Sequence, residues 1–305
     1  MRILLWHVHG SYTTAFVQGE HEYLVPVTPG RGPDGRGRAR TWDWPASVRE
    51  VPLDRIAEAE PDVVILQRPH EAEFARPLGR VPAIYLEHDA PWGDVPLTRH
   101  PMADRPDLRL VHVTHFNDLF WDCGTTPTTV IEHGVVDPGQ LWTGEIPRAA
   151  VVVNEPVRRG RYVGTDLLPR LEAPLDVFGM KVSGLTGCRT HEDLPQDRMH
   201  AELARRRVYV HPIRWTSLGL SLLEAMHLGM PVVALATTEV VEAVPPEAGV
   251  VSTRVEVLRT AIRRYLDDPA AAAEAGRAAR KSVVDRYGLR RFLRDWDRVL
   301  LEVAG

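Results

Sequence analysis

The segment from Val208 to Glu239 constrains the fold more than any other part of the chain. It begins with a short β-favouring run, Val208–Val210, which ends before Pro212 because proline cannot donate a hydrogen bond to a β-ladder. Near its end, Pro231–Leu235 is continuously apolar and β-branched, as in a parallel strand that helices cover on both faces. A strand, a helix and a second strand in this order indicate an α/β fold with a parallel sheet.

The stretch between these two strands predicts a buried helix. Residues 218–228 leave almost no polar face, Thr216 and Ser217 are good N-cap residues, and Gly229 is a suitable helix end. Glu224 does not fit this pattern, because an unpaired carboxylate is strongly unfavourable in an apolar environment. Glu224 therefore needs a partner, which is either a structural group such as an ion pair or a cap, or a bound ligand.

The order of residues in this segment favours a ligand. It resembles the donor-site signature of family-four retaining glycosyltransferases with the GT-B fold, through Thr216-Ser-Leu-Gly-Leu-Ser-Leu-Leu-Glu224-Ala-Met and then Gly229-Met-Pro231-Val-Val-Ala. The resemblance implies an α/β protein of two Rossmann-like domains that face each other across a cleft, with a terminal helix that can cross back to the first domain. It also implies that the second domain binds a nucleoside diphosphate sugar and the first binds the acceptor.

The same resemblance assigns roles to individual residues. Glu224 takes the position of the carboxylate that holds the ribose hydroxyls of the donor, and Gly219 lies where the backbone approaches the diphosphate at a helix N-terminus. Ser217 and Leu220 flank that glycine in the same donor-binding loop. Thr216 takes the position of a glutamate that touches the donor sugar in the family, so this catalytic position carries a hydroxyl without charge.

Further donor-binding positions are implied on either side of this segment. Relatives use an arginine and a lysine to neutralise the diphosphate. One alignment of the chain places Arg158 at the position of the arginine, and the other places Arg159-Gly160 at the position of the lysine and the glycine that follows it. Both alignments stay open, and both leave basic residues just beyond a predicted strand end, where they can meet phosphate. Thr238 and Glu239 follow the next strand, at a position that is also close to the diphosphate in the family.

The first half of the chain resembles the family at its strand ends. His9, Gly10 and Ser11 follow the first predicted strand, at the position of the family's glycine-containing cleft loop. His88 follows another strand, where relatives often have a histidine that reaches toward the donor sugar, so a catalytic role and a structural role are both open. The run 129–137, which contains His133 and Gly134, resembles the segment that closes the first domain beside the cleft.

An arginine-rich stretch, Pro29–Arg40, contains four glycines and cannot form a packed core. It is interpreted either as a mobile surface loop or as a loop that orders over an anionic acceptor, since arginine matches phosphate geometry. Trp42 and Trp44 follow it and are candidates for stacking on a sugar.

Composition limits the remaining possibilities. The chain of 305 residues is long enough for two domains, with predicted bounds of 1–140 and 148–288 and a terminal helix at 289–305. A net charge of −4 gives no reason to expect nucleic acid, and two cysteines in no metal spacing fit a reducing cytoplasm. His7 and His9 are two residues apart, but no third metal ligand lies near them in the sequence, so no metal or other cofactor is expected.

The sequence contains neither the h-region of a signal peptide nor a run long enough to span a membrane, while peripheral membrane contact stays open. The function that the resemblance implies is retaining, metal-independent transfer of a hexose or related sugar from a nucleoside diphosphate to an acceptor. If the arginine-rich stretch orders over the acceptor, that acceptor is anionic. Two alternatives stay open, a non-catalytic nucleotide-sugar-binding module and a sugar-nucleotide epimerase of the same fold. The oligomeric state and the acceptor cannot be read from the sequence.

Overall fold

The computed structural model describes residues 1–305 and divides the chain into two compact units. Unit one consists of Met1–Val136 together with Leu289–Gly305, and unit two is Asp137–Gly288. Residues 141–147, between the two predicted domains, belong to unit two, where the backbone N–H of Trp142 donates to the carbonyl of Leu228.

Unit one is built on a seven-stranded sheet in which all neighbouring strands are parallel. The strands are β1 (Arg2–Leu5), β2 (Glu22–Val27), β3 (Val48–Pro52), β4 (Val63–Leu66), β5 (Ala83–Glu87), β6 (Leu108–His112) and β7 (Thr128–Val130). Their order across the sheet is β3-β2-β1-β4-β5-β6-β7. The helices among them are α1 (Gly10–Phe16), α2 (Glu71–Ala75) and α3 (His115–Phe120), with 3₁₀ helices at Leu53–Ala59 and Arg76–Leu78.

Unit two is built on a parallel sheet of six strands. They are β8 (Ile146–Val152), β9 (Leu175–Gly179), β10 (Arg189–Glu192), β11 (Arg206–His211), β12 (Val232–Leu235) and β13 (Gly249–Ser252), in the order β10-β9-β8-β11-β12-β13. The helices are α4 (Pro156–Arg159), α5 (Gln196–Ala204), α6 (Leu220–Leu228), α7 (Val240–Ala243), α8 (Val255–Asp267) and α9 (Pro269–Arg286), with 3₁₀ helices at Gly160–Val163 and Thr165–Leu171.

The last helix, α10 (Leu289–Ala304), belongs to unit one. It buries one stripe of side chains at helical spacing, namely Phe292, Trp296, Val299 and Leu300. The indole Nε1 of Trp296 donates a hydrogen bond of 2.9 Å to the hydroxyl of Tyr12. The expectation that the terminal helix returns to the first domain is therefore confirmed.

The predicted fold class, two Rossmann-like α/β domains, is also confirmed. Both sheets have the doubly wound order in which the chain extends first to one side of the opening strand and then to the other. The prediction omitted three edge or near-edge strands, β3, β10 and β13. β3 and β10 have half or more of their residues exposed and carry charged side chains, so they lack the apolar run that identifies a covered strand.

The core of unit two contains one fully buried carboxylate, Asp176 on β9. Arg206 on β11 donates to it through Nε at 2.8 Å, Arg148 on β8 donates through its own Nε, and the ring of His191 lies 3.5 Å away. Burial alone would raise the pKa of Asp176, but the hydrogen bonds from the two arginines outweigh it and lower the pKa. The charge thereby joins the three strands β8, β9 and β11.

No helix of the structure combines the length and the apolar character that a membrane crossing requires.

We expect Asp176→Asn to lower the free energy of unfolding of unit two by about 3 kcal/mol, because it leaves Arg148 without a carboxylate and Arg206 with only Glu202. Urea unfolding followed by circular dichroism measures the change. Glu256→Gln is the matched control, since Glu256 pairs with Arg254 on the exposed surface of the same unit. Equal stability of the two variants would contradict the structural role of Asp176.

Candidate functional site

In unit two, helix α6 begins later than the sequence predicts. Its first residue is Leu220 and its N-cap is Gly219, and no side chain caps it. Ser217 is buried in the preceding loop, where its carbonyl oxygen accepts a hydrogen bond of 3.4 Å from the N–H of Glu239. The prediction of Thr216 and Ser217 as N-caps was therefore wrong, because the contact with Glu239 holds Ser217 outside the helix.

Gly219 lies directly against a buried histidine. A Cβ added at Gly219 would be 2.5 Å from Cε1 and 3.1 Å from Nε2 of His211, the last residue of β11. His211 is fully buried, its Nδ1 lies 3.4 Å from the hydroxyl of Tyr209, and its Nε2 has no hydrogen-bond partner. Only glycine allows this close approach, so the peptide groups at the start of α6 can be presented without an intervening side chain.

Glu224 has hydrogen-bonding partners, as the sequence predicts for a buried carboxylate. It is buried on α6, and its Oε2 lies 3.1 Å from Nε2 of Gln196 and 3.4 Å from Nε2 of His200. Gln196 and His200 are one turn apart on α5, and their own side chains lie 2.8 Å apart. Both residues were missed at the sequence level, although a pair of polar residues four apart on a helix is the signal that could have identified them.

The loop that follows β12 lies beside the start of α6. Thr238 has a positive φ of 48°, and its hydroxyl oxygen is buried without a hydrogen-bond partner. Glu239 is buried, its backbone reaches Ser217, and its carboxylate lies 3.4 Å from Arg286. The structure thus brings together the sequence-predicted positions on the loop 216–220 and the loop 237–239.

The predicted basic cluster is divided by ion pairs. Arg158 is exposed and donates to Glu155 at 3.0 Å, and Lys181 binds the other oxygen of the same carboxylate at 2.6 Å. Arg159 forms no ion pair, and its guanidinium lies 5.0 Å from the ring centroid of Tyr162. Of the two predicted arginines, Arg159 is therefore the one whose charge no carboxylate neutralises.

Arg214 was missed by the sequence analysis, although it stands in the loop before Thr216. Its two Nη atoms bind the two carboxylate oxygens of Asp166 at 2.5 and 2.8 Å, and its Nη1 also donates to the carbonyl of Arg161 at 2.6 Å. These contacts join the loop before α6 to the segment that carries the predicted arginines. Thr216, two residues after Arg214, is half-exposed.

In unit one, the rings of three predicted residues, His9, His88 and His133, form a cluster with the ring of Tyr12. The rings of His9 and His88 have centroids 4.0 Å apart, and Tyr12 on α1 lies 4.6 Å from His88 and 5.7 Å from His133. His9 follows β1, His88 follows β5 and His133 follows β7, so the cluster lies at the carboxyl edge of the sheet. Tyr12 was missed because nothing in the sequence distinguishes it from a core tyrosine.

His88 is held in one orientation by Gln67. The amide Nε2 of Gln67 donates to the carbonyl of Trp6 at 2.6 Å, so its Oε1 is left to accept from Nε2 of His88 at 3.0 Å. Burial lowers the pKa of His88 well below its ordinary value, and His9 and His133 lower it further. The ring is therefore a neutral group with its proton on Nε2.

The other cleft candidates of unit one have evident packing roles. A Cβ at Gly134 would overlap Phe292 of α10, so glycine there allows the terminal helix to pack. Gly10 and Ser11 begin α1, and the indole nitrogen of Trp42 would lie 3.3 Å from a Cβ at Gly10. Trp44 is buried, and its Nε1 donates to Thr14 at 2.8 Å, so of the two tryptophans only Trp42 is still a candidate for sugar stacking.

The arginine-rich loop is fixed by many contacts. Arg31 binds both oxygens of Glu50 at 2.8 and 3.0 Å, and Arg38 donates to the backbone carbonyls of Trp44, Pro45 and Val48. The backbone of Arg36 forms a bridge with Val27, and its Nη1 donates to the carbonyl of Val8 at 3.3 Å. The structure contains no group of three or more histidine, cysteine, aspartate or glutamate residues arranged to hold a metal ion.

The comparisons with known proteins agree with this geometry. Residues 185–282, which include α5, α6 and β12, match the family model described as glycosyl transferases group 1. A search of curated protein sequences gives no match. The matched segment supports a glycosyltransferase.

Solved structures resemble the whole chain. A sucrose-phosphate synthase from Thermosynechococcus elongatus shares 14% identity over 99% of this chain and 98% of that chain, with a TM-score of 0.74. A glycosyltransferase from Rickettsia africae shares 13% identity over 99% and 98%, with a TM-score of 0.71. The Anabaena protein HepE in complex with UDP shares 14% identity over 99% and 100%, with a TM-score of 0.69. At these identities the similarity establishes the fold, which is GT-B.

We expect Gly219→Ala and His211→Ala to be strongly non-additive. The added methyl group clashes with the imidazole, which is a small-to-large change that lowers the free energy of unfolding by about 1–3 kcal/mol. Removing the imidazole removes the clash, so the double variant should be more stable than the sum of the single effects predicts. Thermal unfolding of the four proteins measures this coupling. Gly30→Ala is the control, since a Cβ at Gly30 meets nothing; additive effects would contradict the described contact.

Stability should also fall on acidification. Burial lowers the pKa of His211 to about 4, below the ordinary value of 6.5. The unfolded chain therefore takes up a proton between these two pH values while the folded chain does not, and stability decreases as pH falls through this window by up to about 1.4 kcal/mol per pH unit for this one group. Urea unfolding at pH 7.5 and pH 5 should show a smaller loss for His211→Asn than for the wild type. Equal losses would contradict the buried neutral state of His211.

Proposed function

We propose that the protein is a retaining glycosyltransferase of the family-four type, which binds a nucleoside diphosphate sugar in unit two. The observation that carries this proposal is the buried carboxylate of Glu224 on α6, within the segment that matches the glycosyltransferase family model. In the proposed complex Glu224 accepts hydrogen bonds from the ribose hydroxyls. Gln196 and His200 hold the carboxylate in place until the donor binds.

The start of α6 is the proposed diphosphate site. Its first backbone N–H groups have no side-chain cap, and helix N-termini favour anions through these groups and the helix dipole. Arg159 lies on an adjoining segment and has no carboxylate partner, and the contacts of Arg214 with Asp166 and Arg161 join that segment to the loop before α6. These groups would stabilise the negative charge that develops on the departing diphosphate, so we propose that no metal ion is required.

We propose UDP as the nucleotide of the donor. Structures of the Anabaena protein HepE are described in complex with UDP, with UDP and glucose, and with UDP-glucose. That protein and this chain share one fold over nearly their full lengths. UDP-glucose is therefore the first donor to test.

The proposed reaction is a substitution with retention at the anomeric carbon. The bond between that carbon and the diphosphate oxygen breaks, and a bond to the acceptor oxygen forms on the same face of the sugar. The proton of the acceptor hydroxyl passes to an oxygen of the leaving diphosphate. The acceptor would bind at the carboxyl edge of the sheet of unit one, where neutral His88 lies beside His9 and Tyr12. We propose a cytoplasmic location for this chemistry.

Thr216 favours a second candidate function, a module that binds nucleotide sugars without catalysing their reaction. A threonine hydroxyl can donate a hydrogen bond to the donor sugar, but it carries no charge to stabilise the transition state. The two functions differ in one observable, since both bind the donor and only the transferase releases UDP from it.

We expect UDP to raise the thermal midpoint of the wild type and of Glu247→Gln, and to leave Glu224→Gln almost unchanged. A ligand at about 100 times its dissociation constant adds about 2.7 kcal/mol to the free energy of unfolding, which a thermal-shift assay detects. Glu247 is an exposed glutamate of the same unit and serves as the matched control. GDP, ADP and dTDP are run in parallel to identify the base.

An equal UDP response in Glu224→Gln would overturn the ribose assignment, provided that this variant unfolds as cooperatively as the wild type without ligand. Release of UDP from UDP-glucose, measured by chromatography with a panel of acceptors, then separates the two candidate functions. UDP binding without any release in that panel would favour the binding module.

A further inference from the structure

The crevice in unit one is defined by the order of the strands. β1 lies between β2 and β4, and the chain leaves β1 toward one side of the sheet and later continues from β4 toward the other. In doubly wound sheets, ligands bind at the carboxyl ends of the two strands where this reversal occurs. His9 follows β1 and Arg68 follows β4, so both lie at this position.

Arg36 is directed to the same position by the arginine-rich loop. The loop returns to β2 through the bridge between Val27 and Arg36, and the carbonyl of Gly37 lies 3.0 Å from Nδ1 of His7. The guanidinium of Arg36 reaches the carbonyl of Val8 at 3.3 Å, yet it forms no ion pair. Its charge is therefore available beside the residues that follow β1.

Arg68 supplies a second guanidinium. Its Nε donates to Glu71 at 2.7 Å and its Nη1 lies 3.0 Å from Asp34, whereas its Nη2 is buried without a hydrogen-bond partner. Buried N–H groups are rarely left without an acceptor, so Nη2 is a position where a ligand oxygen would be stabilised.

The charges of both arginines contribute to the electrostatic environment of His9. Burial lowers the pKa of His9 most, the Asp89 carboxylate opposes this effect, and Arg36, Arg68 and His7 lower the pKa further. The crevice therefore contains the guanidinium of Arg36, which no carboxylate neutralises, and the carboxylate of Asp89. The guanidinium of Arg68 is paired with Glu71 and Asp34 and has only its Nη2 without a partner.

We propose that this crevice binds a phosphate group of the acceptor through Arg36 and Arg68, so that the acceptor is a phosphorylated sugar or polyol. The inference rests on the proposed glycosyl transfer and adds the chemical class of its acceptor. Guanidinium groups match the geometry of phosphate oxygens and form strong charge-assisted hydrogen bonds with them. Asp89 would accept a sugar hydroxyl, and the half-exposed ring of Trp42 beside Gly10 offers a surface for the sugar. Arg31 and Arg38 take no part, because both Nη atoms of each already bind Glu50 or backbone carbonyls, whereas Nη2 of Arg68 has no partner.

The test compares the full-length wild type with Arg36→Gln and Arg40→Gln. Arg40 is the matched control, because it is an exposed arginine of the same loop with no ion pair. Isothermal titration calorimetry, without nucleotide, measures binding of glucose 6-phosphate, glucose and inorganic phosphate. A parallel flotation assay uses vesicles that contain phosphatidylinositol, which presents the same chemistry as a lipid headgroup.

We expect glucose 6-phosphate to bind more tightly than glucose, and Arg36→Gln to weaken that binding by about tenfold or more, since it removes charge-assisted hydrogen bonds. Arg40→Gln should bind like the wild type. Vesicle binding that depends on Arg36, without binding of glucose 6-phosphate, would support the phosphate site and identify the source as a lipid.

The inference is overturned if neither glucose 6-phosphate nor the phosphatidylinositol vesicles bind to the wild type. It is also overturned if Arg36→Gln binds these probes as the wild type does. These outcomes are independent of UDP binding to unit two, so a normal UDP response with no Arg36 dependence would reject the phosphate site and leave the proposed transferase intact. Failure of the UDP response alone would instead count against the proposed function.

Discussion

The parallel pairing of the strands is the constraint on which the rest of this structure depends. When all strands of a sheet run in one direction, every carboxyl end lies at one edge, and side chains that follow different strands meet there. In unit one this brings together His9, His88 and His133 from three separate strand ends. In unit two it brings the loop before α6 against the loop after β12.

Burial then determines the chemical state of the polar groups at these edges. His88 and His211 are kept neutral because their charged forms are poorly solvated in the interior. Glu224 is buried too, but an amide and an imidazole from α5 lie beside its carboxylate. In the proposed donor complex, this carboxylate exchanges a protein partner for ribose hydroxyls without any change in the helix. Gly219 has the complementary property, since the absence of a side chain leaves the start of α6 accessible despite the close imidazole.

The arginines show how one residue type serves two purposes. The chain has 37 basic residues, and most of those with a short ion pair, such as Arg31 and Arg206, connect loops or strands within one unit. Arg36 and Arg159 differ from these because no carboxylate neutralises them. Composition alone could not make this distinction, which depends on the position of every neighbouring acid. The arginine-rich loop is a clear example. Arg31 and Arg38 hold its backbone in place, and the guanidinium of Arg36 is thereby positioned beside the carbonyl of Val8.

The sequence by itself determined the α/β class, the buried covered strands, the terminal helix and the need of Glu224 for a partner, because hydrophobic periodicity and one misplaced charge are local signals. It did not determine the edge strands β3 and β10, whose partly exposed, charged residues resemble loops. Tertiary structure alone decided that α6 begins at Leu220, that Gln196 and His200 are the partners of Glu224, and that Arg214 binds Asp166. These are contacts between residues far apart in the chain, and the pairing of strands and packing of helices, which no local pattern records, bring them together.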